Sequence, residues 1–259
     1  MNYWEALILS VIEGITEFLP ISSTGHLVLA ANLLRINQTE FVKSFEIVIQ
    51  LGAVLAIVAL YWKKLVAKNS LKIWLKIVVA FLPTGVLGLA LYKVVKNYLI
   101  GNEIVTLVAL VTGGVLLVIF ERLDRDNKME VRGVEQLSLK QAVGIGLFQS
   151  ISMIPGVSRS AATIIGGMLL GQDRKSAVEF SFFLALPTMA AASGLDLIKT
   201  QTNYSLEEYM ILAFGFAGAF ITAVIAVKFF VSFVGRHSLA AFGWYRIVVA
   251  LVFWLVKIS

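Results

Sequence analysis

Apolar residues along this chain come in long blocks, not in stripes at helical spacing. Ser44 to Trp62, Ile73 to Tyr92, Ile104 to Phe120, Ala177 to Ile198, Tyr209 to Val227 and Phe242 to Val256 are each close to the roughly 20 residues that a helix needs to cross a hydrocarbon core. Six transmembrane helices are predicted. Two further apolar stretches, Glu5 to Leu34 and Leu139 to Leu170, are each broken by proline and a run of hydroxyl residues: Pro20-Ile-Ser-Ser-Thr-Gly25 and Pro155-Gly-Val-Ser-Arg-Ser160. Irregular backbone at membrane depth survives only where protein or a watery cavity satisfies its polar groups. Both stretches are read as re-entrant helical hairpins with their turns near the midplane, so the fold class is an all-α integral membrane protein.

The polar segments orient these elements. Lys63, Lys64, Lys68, Lys72 and Lys76 form a connection without an acid, which belongs on the cytoplasmic side. The polar linker 122–138, with Arg122, Arg125, Lys128 and Arg132, returns to that side, as do the turns around Arg174–Lys175 and Lys228–Arg236. The turn at Glu207 and Glu208 lies outside, and both termini are then external. Repeated patterns divide the single membrane domain, 1–259, into a first half of about 1–121 and a second of about 139–259. Pro20-x-x-Ser23 recurs 135 positions on as Pro155-x-x-Ser158, while Ser44-Phe-Glu46 and Phe81-x-x-x-Gly85 find counterparts 133 positions on at Ala177-Val-Glu179 and Phe214-x-x-x-Gly218. With three spans per half, the second copy inserts upside down. Such an inverted-topology repeat places a site where broken helices meet at the midplane.

Composition sharpens the picture. With 59% apolar and 15% charged residues and a mean hydropathy of +0.87, the chain lacks the polar surface of a soluble domain. The absence of cysteine excludes disulfides and thiol chemistry. A net charge of +6 is explained by basic cytoplasmic loops, and nothing suggests a nucleic-acid partner. Met1 to Trp4 has no basic stretch and Glu13 and Glu17 interrupt the apolar run behind it, so the first segment is not expected to be a cleaved leader. Trp62, Trp74, Trp244 and Trp254 read as interfacial aromatics.

Few charges remain at membrane depth: Glu13, Glu17 and Arg159. Glu13 and Glu17 lie four apart on one helical face. They read either as an interfacial pair facing water, or as a divalent-cation site or general acid/base pair, for which Mg²⁺ or Ca²⁺ with substrate phosphate would suit the oxygens. Ser22, Ser23 and Thr24 follow the first break. Either serine is a helix cap on its own, yet the cluster at a helix start favours an anion. His26 falls three residues after Ser23, on its face, while His237 beside Arg236 reads as solvated. Arg159 has no acid within a turn and calls for an anionic ligand or for Glu13 and Glu17 across the midplane. Ser158, Ser160 and Thr163 are placed to surround the same ligand oxygens, and the guanidinium fork suits phosphate. Glu46 and Glu179, at matching places, are supports for the hairpins or interfacial anchors, with Gln50 one turn after Glu46.

Glu13-Gly-Ile-Thr-Glu17-Phe-Leu-Pro-Ile-Ser-Ser-Thr-Gly-His26, taken with Pro155-Gly-x-Ser-Arg-Ser-x-x-Thr163, resembles the signature pair of the bacterial undecaprenyl-diphosphate phosphatases, also called bacitracin-resistance proteins. Phe45-Glu46-x-x-x-Gln50-Leu-Gly and Glu179-Phe-Ser-Phe fit as well, and the resemblance covers the whole chain. It implies hydrolysis of a polyprenyl diphosphate lipid, the C55 carrier, to the monophosphate for cell-wall synthesis, bacitracin resistance, and a divalent cation as cofactor. It further implies that Glu13, Glu17, Ser23, His26 and Arg159 are catalytic, that Ser22, Thr24, Ser158, Ser160 and Thr163 contact phosphate, and that the protein sits in the bacterial inner (plasma) membrane. The nucleophile stays open among Ser23, His26 and water, with Ser23 favoured. The active site is expected to open externally, and the oligomeric state is open, a homodimer included. A lipid flippase or transporter shares this architecture. The acid-phosphatase type of lipid phosphatase is disfavoured because only His237 follows Ser158-Arg159, and a scaffold because it has no use for a buried Arg and paired carboxylates.

Overall fold

The computed structural model describes residues 1–68, 70–99, 102–123, 133–199 and 204–258. Arg125, Lys128 and Arg132 of the predicted linker lie outside them. Every predicted span is a helix that overruns its sequence-based limits. These are α3 (Glu40–Leu65), α4 (Ser70–Val94), α5 (Glu103–Leu123), α8 (Arg174–Lys199), α9 (Leu206–Val234) and α10 (Ala240–Ile258). Among the described residues, six helices are long and apolar enough to cross a membrane, and no strand forms. The chain is a multi-pass membrane protein.

The two interrupted stretches form α1 (Tyr3–Thr16) with α2 (Ser23–Leu33), and α6 (Leu139–Ser150) with α7 (Arg159–Leu169). At about 1.5 Å per residue none of these four helices reaches across a core about 30 Å thick. Within each pair the two helices pack on each other, so each pair is a hairpin. Helix α5 shows how the hairpins are arranged. Its first residue, Glu103, accepts from Asn32 at the end of hairpin one (2.6 Å). Near its other end, Glu121 accepts from Arg174, just beyond hairpin two (2.9 Å). The open ends of the hairpins therefore lie at opposite ends of one spanning helix, and their closed ends meet between.

Glycine allows the hairpins to nest. Helix α1 packs on α9 with Gly14 against Ala219 and Thr222, and α6 packs on α4 with Gly146 against the Ala80 carbonyl. A Cβ at either glycine would overlap the facing helix. The main core lies beside these contacts and contains Phe18, Ile57, Phe180, Phe182, Phe183 and Phe230, all fully buried. Phe18, from hairpin one, meets Phe182 of α8 edge-on at 5.4 Å, an arrangement that suits the ring quadrupoles.

The far end of the linker is pinned to the basic end of the bundle. Val134–Gln136 forms one 3₁₀ turn whose carbonyls at Val134 and Glu135 accept from the Lys76 ammonium (3.2 and 2.5 Å). Lys64 bridges the carboxylates of Glu135 (3.0 Å) and Glu179 (2.9 Å). Glu179 thus pairs on the loop side.

Candidate active site

Ser22 caps α2 and Ser158 caps α7. Both take positive φ, 72° and 75°, and their hydroxyls accept from the amides of Gly25 (3.3 Å) and Ala161 (3.1 Å). Each sharp turn aims a helix N-terminus at the centre of the molecule, with the unpaired first-turn amides that favour anions. These caps pair Ser22 with Ser158, 136 positions apart, one more than the proline-based alignment. The second turn reaches its cap with Gly156 at φ 94°, a conformation that favours glycine.

Between the turns, Glu17 receives two hydrogen bonds. Its Oε1 accepts from Arg159 Nη2 at 2.7 Å, and its Oε2 accepts from the Ser23 hydroxyl at 2.5 Å. Arg159 also donates from Nη1 to the carbonyl and hydroxyl oxygens of Ser181 (2.9 and 3.3 Å), and it lies over the Phe18 ring. Its Nε–H has no partner among the described residues. The bridge is almost wholly buried, and losing one partner of such a pair costs about 3–5 kcal/mol because the other charge is stranded.

Glu13 sits one turn earlier on α1, fully buried, with neither carboxylate oxygen hydrogen-bonded among the described residues. Glu17, Glu46 and Arg159 are its charged neighbours. Glu46 itself accepts from Gln38 at 3.4 Å.

A cavity of about 850 Å³ opens onto this centre. Glu17, Ser22, Ser23, Thr24, Ser158 and Arg159 form its polar end. Its apolar walls come from the second halves of α4 and α8, including Phe81, Leu89 and Met189, and from Met153 beside the second turn. Thr84 and Thr188 add a polar edge through Gln149, whose amide donates to Thr84 (3.0 Å) and whose oxygen accepts from Thr188 (3.3 Å).

Three expected site residues face elsewhere. Ser160, expected on phosphate, is buried and donates to the Phe18 carbonyl at 2.7 Å, tying the hairpins together. Thr163 is also fully buried, and donates to the Ser181 hydroxyl at 2.7 Å behind Arg159. His26 does not reach the Ser23 hydroxyl. Its Nδ1–H donates to the Ser22 carbonyl (2.8 Å), and its Nε2 meets the Tyr245 hydroxyl (3.0 Å) with the rings stacked 3° from parallel. The i,i+3 face that suggested a Ser23–His26 pair is real, but the turn directs the imidazole towards α10. Solvated His237 stacks on Phe233 instead.

The sequence reading missed Ser181, Tyr245 and Arg246. Arg246 lies inside the predicted span Phe242–Val256, so the signal that singled out Arg159 was present for it also. Ser181 falls in the Glu179-Phe-Ser-Phe stretch of the resemblance but carries no role there, and Tyr245 carries no comparable signal, since one tyrosine in an apolar helix is ordinary.

Fold and site together define an integral membrane protein with an Arg–Glu–Ser centre between two hairpin turns, at the polar end of an apolar cavity. The chain matches the family described as Bacitracin resistance protein BacA over residues 6–252, and belongs to it. It is 52% identical to the undecaprenyl-diphosphatase of Aquifex aeolicus (strain VF5) over 98% of each chain. It is 47% identical to that of Sulfurihydrogenibium sp. (strain YO3AOP1), over 98% of this chain and 99% of the relative. The undecaprenyl-diphosphatase of Wolinella succinogenes is 48% identical, over 98% of this chain and 97% of its own.

Proposed function

We propose that this protein hydrolyses undecaprenyl diphosphate to undecaprenyl phosphate and inorganic phosphate, recycling the lipid carrier of cell-wall synthesis and so supporting bacitracin resistance. The observation that carries the reading is the Ser23 hydroxyl held at 2.5 Å on a carboxylate whose other oxygen is held by Arg159, at the polar end of an apolar cavity. Such a cavity suits a lipid whose reactive end is a diphosphate.

Glu17 is placed to take the Ser23 proton as the oxygen attacks the terminal phosphorus. The bond to the bridging oxygen then breaks, and undecaprenyl phosphate leaves with the electron pair. Water next attacks the phosphoserine, releasing inorganic phosphate and returning the hydroxyl. The free Nε–H of Arg159 and the first-turn amides of α2 and α7 supply donors where negative charge builds. Thr24, exposed on the cavity wall, and the caps Ser22 and Ser158 complete the phosphate surroundings.

A divalent cation would be held by Glu13, whose buried oxygens have no hydrogen-bond partner among the described residues, with Glu17 beside it. Among the described residues no cluster of three acidic or histidine side chains forms, so substrate oxygens and water would supply the remaining ligands. When bound, the cation neutralises diphosphate charge.

The cavity also suits an external opening in the bacterial inner membrane. Its walls come from those halves of α4 and α8 that lie away from the lysine-rich connection, which the positive-inside rule assigns to the cytoplasm. The hairpins meeting from opposite ends of α5, with α1 on α9 and α6 on α4, support the inverted repeat of 1–121 and 139–259.

The test is phosphate release from undecaprenyl diphosphate by detergent-purified protein with Mg²⁺ or Ca²⁺, where no gradient exists to drive transport. Wild type is expected to turn over, chelation to stop it, and Ser23→Ala and Glu17→Gln each to lower kcat by at least about 10²-fold. Acid quenching with terminally labelled diphosphate should yield phosphoserine. Near-normal turnover by Ser23→Ala would remove Ser23 as nucleophile, and no hydrolysis by wild type would overturn the enzymatic reading.

A further inference from the structure

Arg246 is the largest fully buried side chain among the described residues, at 0% exposure within an apolar spanning helix. Among the described residues it forms no ion pair. Its guanidinium instead reaches backbone carbonyls of both hairpin turns: Nη1 donates to Pro20 (3.5 Å), and Nη2 donates to Gly156 (2.8 Å) and to Ala109 of α5 (3.0 Å). A charge without a counter-ion in such a place is costly, and a leucine would fill the same interior without that cost. The neighbouring Tyr245 reaches hairpin one separately, through His26.

The chain is built to admit this arginine. Helices α5 and α10 approach at Gly114 and Gly243, where a Cβ on either glycine would stand 2.7 Å from the other's carbonyl oxygen. Gly113 leaves open the space that the guanidinium occupies, since a Cβ there would overlap Arg246 Nη2. Three glycines thus make a slot that leads from α10 to the two turns.

We propose that Tyr245 and Arg246 are positioning residues for hydrolysis, and that Arg246 sets the register between the two hairpin turns and hence between Ser23 and Arg159. The proposal rests on the hydrolytic reading above. Pro20 stands three residues before Ser23, and Gly156 three before Arg159. One rigid planar fork shared by their carbonyls fixes each turn relative to the other, which a point-like ammonium cannot do as well. It does so from a position off the cavity wall, so its effect on the cavity passes through the turns.

The experiment uses full-length purified protein and combines steady-state kinetics with a distance measurement. Because the chain has no cysteine, spin labels at Thr24→Cys and Ile154→Cys report the separation of the two turns directly. Arg246→Met and Gly113→Ala are expected to lower kcat by about 10- to 100-fold with KM changed less than about threefold, and to broaden or shift the label distance. Gly113→Ala keeps the positive charge but denies the fork its place, so it separates geometry from charge. It also replaces Arg246→Met should that variant fail to fold. Arg246→Lys should recover only part of kcat, and Tyr245→Phe, which keeps the stacked ring, should lose a few-fold. Wild-type kcat in Gly113→Ala, or lowered kcat with an unchanged distance distribution, would overturn the proposal. Absence of hydrolysis by wild type would instead sink the hydrolytic reading, and the distance distributions would still decide whether Arg246 sets the register.

Discussion

At Ser160 the hydroxyl proton goes to the Phe18 carbonyl, so the group that motif spacing offers to phosphate holds one hairpin to the other. Ser160→Ala is therefore expected to cost about 1 kcal/mol of stability, read as a lower melting temperature, while KM for the lipid diphosphate stays near wild type. A several-fold rise in KM with unchanged melting would return Ser160 to the phosphate. The residue scale is also where sequence reasoning divides most clearly. Glu17 and Arg159 are legible because a charge at membrane depth demands a partner, and each is the other's partner. Arg246 meets the same criterion, but it lies in an unbroken span where no proline or hydroxyl cluster marks a site. Side-chain direction is beyond reach: His26 shares a face with Ser23, yet its ring settles on Tyr245, 219 positions away.

At the scale of elements, six spans and two broken hairpins follow from block length and from where proline and hydroxyl residues interrupt the blocks. What the blocks do not contain is which helix meets which, since lipid-facing and helix-facing residues are equally apolar. Small residues decide that in membranes. Gly14 lets α1 lie against α9, where a Cβ would stand 2.8 Å from the Ala223 nitrogen and overlap the Ala219 and Thr222 oxygens. Gly14→Ala should push α1 away at about 1–3 kcal/mol and displace Glu13 and Glu17 with it, so that melting temperature and kcat fall together. Gly194 is its control: it lines the cavity with nothing within 4 Å of its would-be Cβ, and Gly194→Ala should leave both values near wild type.

Over the whole molecule, an apolar chamber with its charged end at the meeting of two turns makes the direction of opening a measurable property. Thr24→Cys, exposed on the cavity wall, is expected to react with a membrane-impermeant thiol reagent added to intact cells. Lys68→Cys, on the lysine-rich connection, should react only after the membrane is permeabilised. The opposite pattern would place the opening in the cytoplasm. Matched fragments in the two halves are legible as a periodicity, but the match of caps one position away from the matched prolines needs three dimensions, because the two turns differ by a residue.

The ion pair at the centre joins residues 142 positions apart, one in each half of the chain. This sets an order of events in biogenesis. When hairpin one leaves the ribosome, the guanidinium that balances its carboxylates has not been synthesised, and an unbalanced carboxylate does not settle into lipid. Until α6 and α7 are made, the carboxylates of hairpin one have no arginine to pair with, and a contact so distant in sequence carries a larger loop-closure cost than a local one. The first half alone therefore carries carboxylates without the arginine that balances them.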